Sequence, residues 1–129
     1  MKVDSNSVLQ INGNEYIPLI EYQDLKDCIP VRIQLYGNFD ERIVVVRIGN
    51  NVYAFSEFCP HQHKPSLSQG YIEDGCIVCP EHGWKFEIET GEQYDKSVGT
   101  HKIKKFEILV LNNQVLLDTK NLLTKKWIF

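Results

Sequence analysis

Two short sets of residues in this chain have types and spacings that can do chemistry: Cys59-x-His61 and Cys79-x-x-His82. Thiolate sulfur and imidazole nitrogen are both metal donors. Each set is too short to enclose a metal alone, but each can present one Cys and one His at the tip of a tight loop. Two such loops facing each other supply four ligands, half sulfur and half nitrogen. Seventeen residues, 62–78, separate His61 from Cys79. Pro60, Pro65, Pro80 and Gly83 lie in or beside the two loops, where proline fixes φ and glycine permits turns closed to other residues.

The stretch CPHQHKPSLSQGYIEDGCIVCPEHGWKF, residues 59–86, closely resembles the Rieske family, whose pattern is C-x-H, a spacer and C-x-x-H. Rieske proteins bind a [2Fe–2S] cluster in which two His replace two Cys on one iron. The resemblance implies that Cys59 and Cys79 hold one iron and His61 and His82 the other. It extends to Leu67-Ser68-x-Gly70 and His82-Gly83-Trp84-x-Phe86, which look like the ferredoxin and oxygenase branches, and more loosely over residues 16–118.

Mixed ligation has an electrostatic consequence. Two thiolates neutralise an oxidised core that four would leave negative, so an added electron costs less work and the potential rises above that of an all-Cys ferredoxin. Such a centre takes one electron and has no open position for substrate. Each His keeps a proton on its second nitrogen, more acidic in the oxidised state. The potential is therefore expected to be flat near neutral pH and to fall at alkaline pH. The respiratory branch carries an extra Cys in each loop, joined as a disulfide; the matching positions here are Lys64 and Glu81. It also has a Ser and a Tyr that bond to sulfur; the matching positions here are Trp84 and Phe86, without hydroxyls. Fewer donors place the expected potential in the lower third of the family range of roughly −150 to +300 mV. Lys64 and Glu81 form a candidate ion pair between the loops, with two solvated side chains as the alternative.

Other readings of the same residues stand beside this one. Cys76-x-x-Cys79 makes a zinc site from Cys59, His61, Cys76, Cys79 and His82 conceivable. Against it, Cys76 falls in a strand pattern, where it reads as a small core residue. Cys28 and Cys76 are expected to be reduced, although counting alone leaves a disulfide between them open. His63 reads as an exposed loop residue or a partner contact, and His101 as ordinary.

The bulk properties narrow the class. The chain has 129 residues, 43% hydrophobic and 24% charged, as expected for one globular domain. A formal net charge of −3 and no basic-aromatic platform argue against nucleic-acid binding. Residues 99–129 hold six lysines against two carboxylates, a candidate basic face or solvated side chains. No signal-peptide core opens the chain and no apolar run is long enough to span a membrane. The expectation is therefore no membrane and a cytoplasmic setting.

The elements that position the loops read as β. Residues 8–11 and 15–20 flank Asn12-Gly13, a hairpin signal, and Pro18 marks the second run as an edge strand. Residues 31–35 alternate, 42–48 are rich in β-branched residues and read as a central strand, and 52–55 lead into the first ligand loop. Residues 71–73 and 76–78 flank Asp74-Gly75, and residues 84–88 form a further strand. A last hairpin runs over 105–111 and 114–117 around Asn112-Asn113; residues 22–27 contain one helical turn at most. The fold class is all-β. The resemblance implies a Rieske-like antiparallel β sandwich with a small inserted cluster-binding subdomain. One Rieske domain would span 1–129, with an insert near 57–86, a base near 8–56 and 87–118, and a tail at 119–129. A third shielding loop is expected at 95–100 without proline. The apolar tail is expected to dock on its own domain or on another subunit.

The function implied is a soluble Rieske-type ferredoxin, an electron-transfer protein and not itself an enzyme. It would pass single electrons from a flavoprotein reductase to an oxygenase or similar acceptor. His61 and His82 would form the exposed edge, with Pro60, Gln62, Pro80, Gly83 and Trp84 shaping the contact. One alternative is the small Rieske subunit of a nitrite reductase-like complex; another is a zinc-bound interaction module. An oxygenase would need a mononuclear iron domain for which the chain has no room.

Overall fold

The fold is organised around a strand with two buried faces. β5 (Arg42–Ile48) reads RIVVVRI, and its residues 43–46 are all fully buried. Alternation sends Ile43 and Val45 to one apolar cluster and Val44 and Val46 to another. Each β-branched side chain therefore meets a packed layer, which is why the run is apolar throughout and not alternating.

The computed structural model describes residues 1–60, 64–81, 83–95, 97, 101–120 and 122. Among them there is no α-helix. A five-stranded sheet runs in the order β1 (Lys2–Asp4), β4 (Val31–Tyr36), β5, β6 (Asn51–Ser56), β12 (Lys105–Phe106). A four-stranded sheet runs β13 (Ile108–Leu111), β14 (Gln114–Asp118), β3 (Asn14–Glu21), β2 (Leu9–Ile11). The two face each other across a core of Ile17, Leu19, Ile33, Leu35, Ile43, Val45, Ala54, Phe106, Val115 and Leu117. The tail contributes Leu122 to this core; the rest of 121–129 lies outside the described residues.

The opposite face of the five-stranded sheet carries the loops. Val44, Val46 and Phe55 pack there against Cys59, Leu67, Ile77, Cys79, Phe86, Ile88 and Ile103. Cys59 lies in a two-stranded ribbon, β7 (Phe58–Cys59) with β8 (Lys64–Pro65), and Ile77 and Phe86 in a three-stranded sheet in the order β11 (Lys85–Glu87), β10 (Cys76–Val78), β9 (Tyr71–Glu73); the other four come from segments between or after these strands. The base is thus a sandwich with a second, smaller layer on its outer side.

Several local expectations hold. Asn12, Asp74, Asn112 and Asn113 adopt positive φ in their turns, the conformation that selects Asn, Asp and Gly there. The helical turn at Tyr22–Asp24 is a single 3-10 turn. Three features differ from the sequence reading. β3 is not an edge strand: it lies between β14 and β2. Pro18 is accommodated because the β14 pairing shifts register there, from Val115↔Ile20 to Leu116↔Pro18, while β2 pairs only with Asn14, Glu15 and Tyr16. A bulge is where proline can sit inside a sheet. The run 105–111 is two strands: β12 pairs with β6 and β13 with β14, so the chain changes sheets at Glu107. Finally, Lys2–Asp4 forms a parallel strand on β4, which its one apolar residue, Val3, does not announce.

Candidate metal centre

Cys59 and Cys79 each lie in a turn closed by backbone pairing. In the first, Cys59 pairs with Lys64 and Phe58 with Pro65. In the second, the Cys79 N–H donates to the Trp84 carbonyl at 2.8 Å and the Gly83 N–H to the Cys79 carbonyl at 3.0 Å. Gly83 has φ +71, the left-handed conformation that glycine adopts without a side-chain clash. The backbone of each cysteine is thus held by pairing within its own turn.

Cys59 and Cys79 are both fully buried, neither is in a disulfide, and both are part of one apolar cluster. Among the described residues, two side-chain contacts join the loops that carry them. The Ser66 Oγ lies 3.7 Å from the Cys79 Sγ. Lys64 Nζ lies 3.7 Å from a Glu81 carboxylate oxygen, so the ion pair expected between these residues is present. Both partners are partly exposed, and such a pair contributes about 0–1 kcal/mol. His61, His63 and His82 lie outside the described residues. The donor chemistry that is described, two thiols excluded from water on facing loops, fits the sulfur half of a [2Fe–2S] site.

Cys76 lies in β10 and is 2% exposed; burial pushes its thiol above the ordinary value. It is a core residue, and none of the four cysteines is in a disulfide, so no Cys28–Cys76 bond forms. Trp84 is half-buried and Phe86 fully buried, and neither offers a hydroxyl. His101 is exposed, with its backbone N–H on the Gln93 side chain. Of the third loop, Lys96 and residues 98–100 lie outside the described residues.

Three contributors were not visible in the sequence reading. Ser66 places a hydroxyl beside the Cys79 sulfur from the first loop, whereas the expectation of few donors was drawn from Trp84 and Phe86 after the second; no periodicity or spacing marks it. Glu57 is 1% exposed and ties the layers together. Its carboxylate accepts from Ser68 Oγ at 2.5 Å, and Arg32 and Arg42 of the base sheet approach to 4.0 Å each. Its carbonyl accepts the Leu67 N–H, and its own N–H donates to the Arg42 carbonyl. A carboxylate in the apolar run before Cys59 was the available signal. Gly70 packs its backbone against the Val78 carbonyl, one residue before Cys79.

The Rieske [2Fe–2S] domain model matches residues 15–107. The anthranilate 1,2-dioxygenase ferredoxin subunit of Burkholderia cepacia is 37% identical over 73 residues, 57% of this chain and 66% of that one. Cholesterol 7-desaturase of Hemicentrotus pulcherrimus is 31% identical over 121 residues, covering 88% of this chain but 25% of its own length. Among solved structures, a chain of the complex of reduced oxygenase and oxidized ferredoxin in carbazole 1,9a-dioxygenase superposes with a TM-score of 0.70 at 27% identity, over 78% of this chain and 99% of that one. No helix among the described residues is long and apolar enough to cross a membrane. Two closed loops, two buried thiols and a matching domain model over most of the length lead to one statement: this chain belongs to the Rieske [2Fe–2S] domain family, and its cofactor is a Rieske-type [2Fe–2S] cluster.

Proposed function

We propose that the chain is a Rieske-type ferredoxin, a one-electron carrier that takes electrons from a flavoprotein reductase and delivers them to an oxygenase. Cys59, His61, Cys79 and His82 are the ligands. The observation that carries this reading is the pair of fully buried cysteines, on two neighbouring loops, inside one apolar cluster. The ferredoxin subunit and the ferredoxin–oxygenase complex among the similar proteins support the carrier role and the acceptor class. When bound, the cluster accepts and releases one electron with no position open to substrate.

The protein's own residues then do three things. Cys59 and Cys79 hold sulfur away from water. The hydrogen bonds closing each loop keep the donors in place through a change of charge. Pro80 and Gly83, both exposed, with Pro60 and Trp84 half-buried beside them, offer a small surface for a transient partner. In this reading residues 57–86 are the cluster-bearing insert and 8–56 with 87–118 the base, supported by the division of the core into two apolar clusters. The proposed setting is the cytoplasm.

Stopped-flow mixing of the reduced protein with a candidate oxygenase tests the carrier role. Single-electron oxidation at a rate that saturates with oxygenase concentration is the expected result. A protein that stays reduced on the time scale of oxygenase turnover, with every oxygenase tried, would overturn the reading.

A further inference from the structure

We propose that Ser66 is a hydrogen-bond donor to the Cys79 sulfur and that this bond sets the reduction potential of the centre. The proposal rests on Cys79 being an iron ligand, as argued above. The Ser66 Oγ lies 3.7 Å from the Cys79 Sγ, with the serine 6% exposed and the cysteine fully buried. In a free thiol either atom donates. A metal-bound cysteine is a thiolate, which only accepts, so in the loaded protein the Ser66 hydroxyl is the donor. It has no other hydrogen-bond partner among the described residues.

The serine is held in place by its neighbours. Its N–H donates to the Lys64 carbonyl at 2.9 Å, and its carbonyl accepts from the Gln69 N–H at 3.0 Å. Leu67 is fully buried and its N–H reaches the Glu57 carbonyl. Ser68 reaches the Glu57 carboxylate. Three consecutive residues are thus anchored in turn to sulfur, to the apolar core and to a buried carboxylate. Ser66 belongs to the first loop and Cys79 to the second, so the donor acts across the gap between the two ligand sets.

A donor aimed at sulfur stabilises the more negative, reduced state more than the oxidised one. Water does not reach a fully buried sulfur, so no solvent donor stands in for a missing hydroxyl, and the low local dielectric keeps the bond strong. The hydroxyl therefore raises the potential.

The test compares the midpoint potential of the holoprotein with those of Ser66→Ala, Ser66→Thr and Thr90→Ala, alongside iron content and the reduced-state EPR spectrum. Ser66→Ala is expected to keep its iron and shift negative. The expected electron partition against a fixed mediator changes about tenfold, equivalent to about 59 mV for one electron. Ser66→Thr, which keeps the hydroxyl, returns the potential toward that of the unsubstituted protein. Thr90→Ala, which removes a hydroxyl bonded to Glu87 outside both loops, leaves it unchanged. An iron-loaded Ser66→Ala with unaltered potential overturns the proposal, as does loss of iron from both serine variants, because a potential-setting donor is not needed for retention. Failure of the ligand assignment looks different: Cys79→Ser would keep its iron and an unaltered spectrum, whatever the serine variants did.

Discussion

Gly70→Ala should damage this protein out of proportion to the one methyl group added. The residue has φ −79 and ψ −171, extended backbone open to any amino acid, so alanine meets no dihedral penalty. The obstacle is space. A Cβ at Gly70 would lie 2.1 Å from the Val78 carbonyl oxygen, 3.1 Å from its carbon and 3.3 Å from the Leu67 carbonyl oxygen. An ordinary C···O approach is about 3.3 Å, so β10 must retreat by about 1 Å. All three obstructing atoms are backbone, and no side chain can swing away. Overpacking of this kind costs about 1–3 kcal/mol, and the upper end applies here. For a chain of this size about 1 kcal/mol moves Tm by about 3–6 °C, so melting should fall by about 10 °C. Val78 immediately precedes Cys79, so the same push should lower iron retention. Thermal unfolding followed by circular dichroism, with iron measured on the same samples, is the assay. Gly49→Ala is the control: its φ is +63 with nothing within 4 Å of the added carbon, so it reports the left-handed backbone cost of about 1–2 kcal/mol alone. Gly70→Ala melting no lower than Gly49→Ala, with full iron, would refute the close-approach argument.

Ser68→Ala removes a hydrogen bond to a buried carboxylate and should cost about 1.5–3 kcal/mol, whereas Arg32→Ala, half exposed and 4.0 Å from the same carboxylate, should cost under about 1 kcal/mol; denaturant midpoints separate the two. Breaking the Lys64–Glu81 pair by Glu81→Ala should change stability by less than about 1 kcal/mol, and a larger loss in the same measurement would mean that the pair fastens the loops. Burial raises the Cys76 thiol above its ordinary 9.0. The folded state then keeps its proton where the unfolded state loses it, so stability is fully present below that value and declines as pH climbs past it. Melting curves from pH 7 to 10 should show a decline that is shallower in Cys76→Ala. In iodoacetamide labelling of the folded protein, half-buried Cys28 should react while Cys76 does not.

How much of this was legible in the sequence follows the range of the interactions involved. Turns are local: Asn12-Gly13, Asp74-Gly75 and Asn112-Asn113 carry their own φ preferences, and all three fold as read. The central strand was legible because Val44, Val45 and Val46 suit a strand packed on both sides. Pro18 misled because proline records only that a donor is missing, and a bulge satisfies that as well as an edge does. The break at Glu107 was invisible because residues on both sides favour strand, and only the partner sheets, β6 and β14, decide where one strand ends. At the site, the spacing of Cys59 and Cys79 pointed to two neighbouring loops, and the two side chains are buried in one cluster. The pieces that hold them were not legible. Ser66, Glu57 and Gly70 act through neighbours 13, 11 and 8 residues away in the chain, contacts that only folding creates.

The most direct test of the account is the reduced-state EPR spectrum of the protein as isolated, recorded with its iron and sulfide content and compared with that of His82→Cys. The account predicts two irons and two sulfides per chain, and a signal that His82→Cys moves toward that of an all-thiolate ferredoxin. Colourless protein containing zinc, or a His82→Cys spectrum indistinguishable from that of the unsubstituted protein, would contradict it.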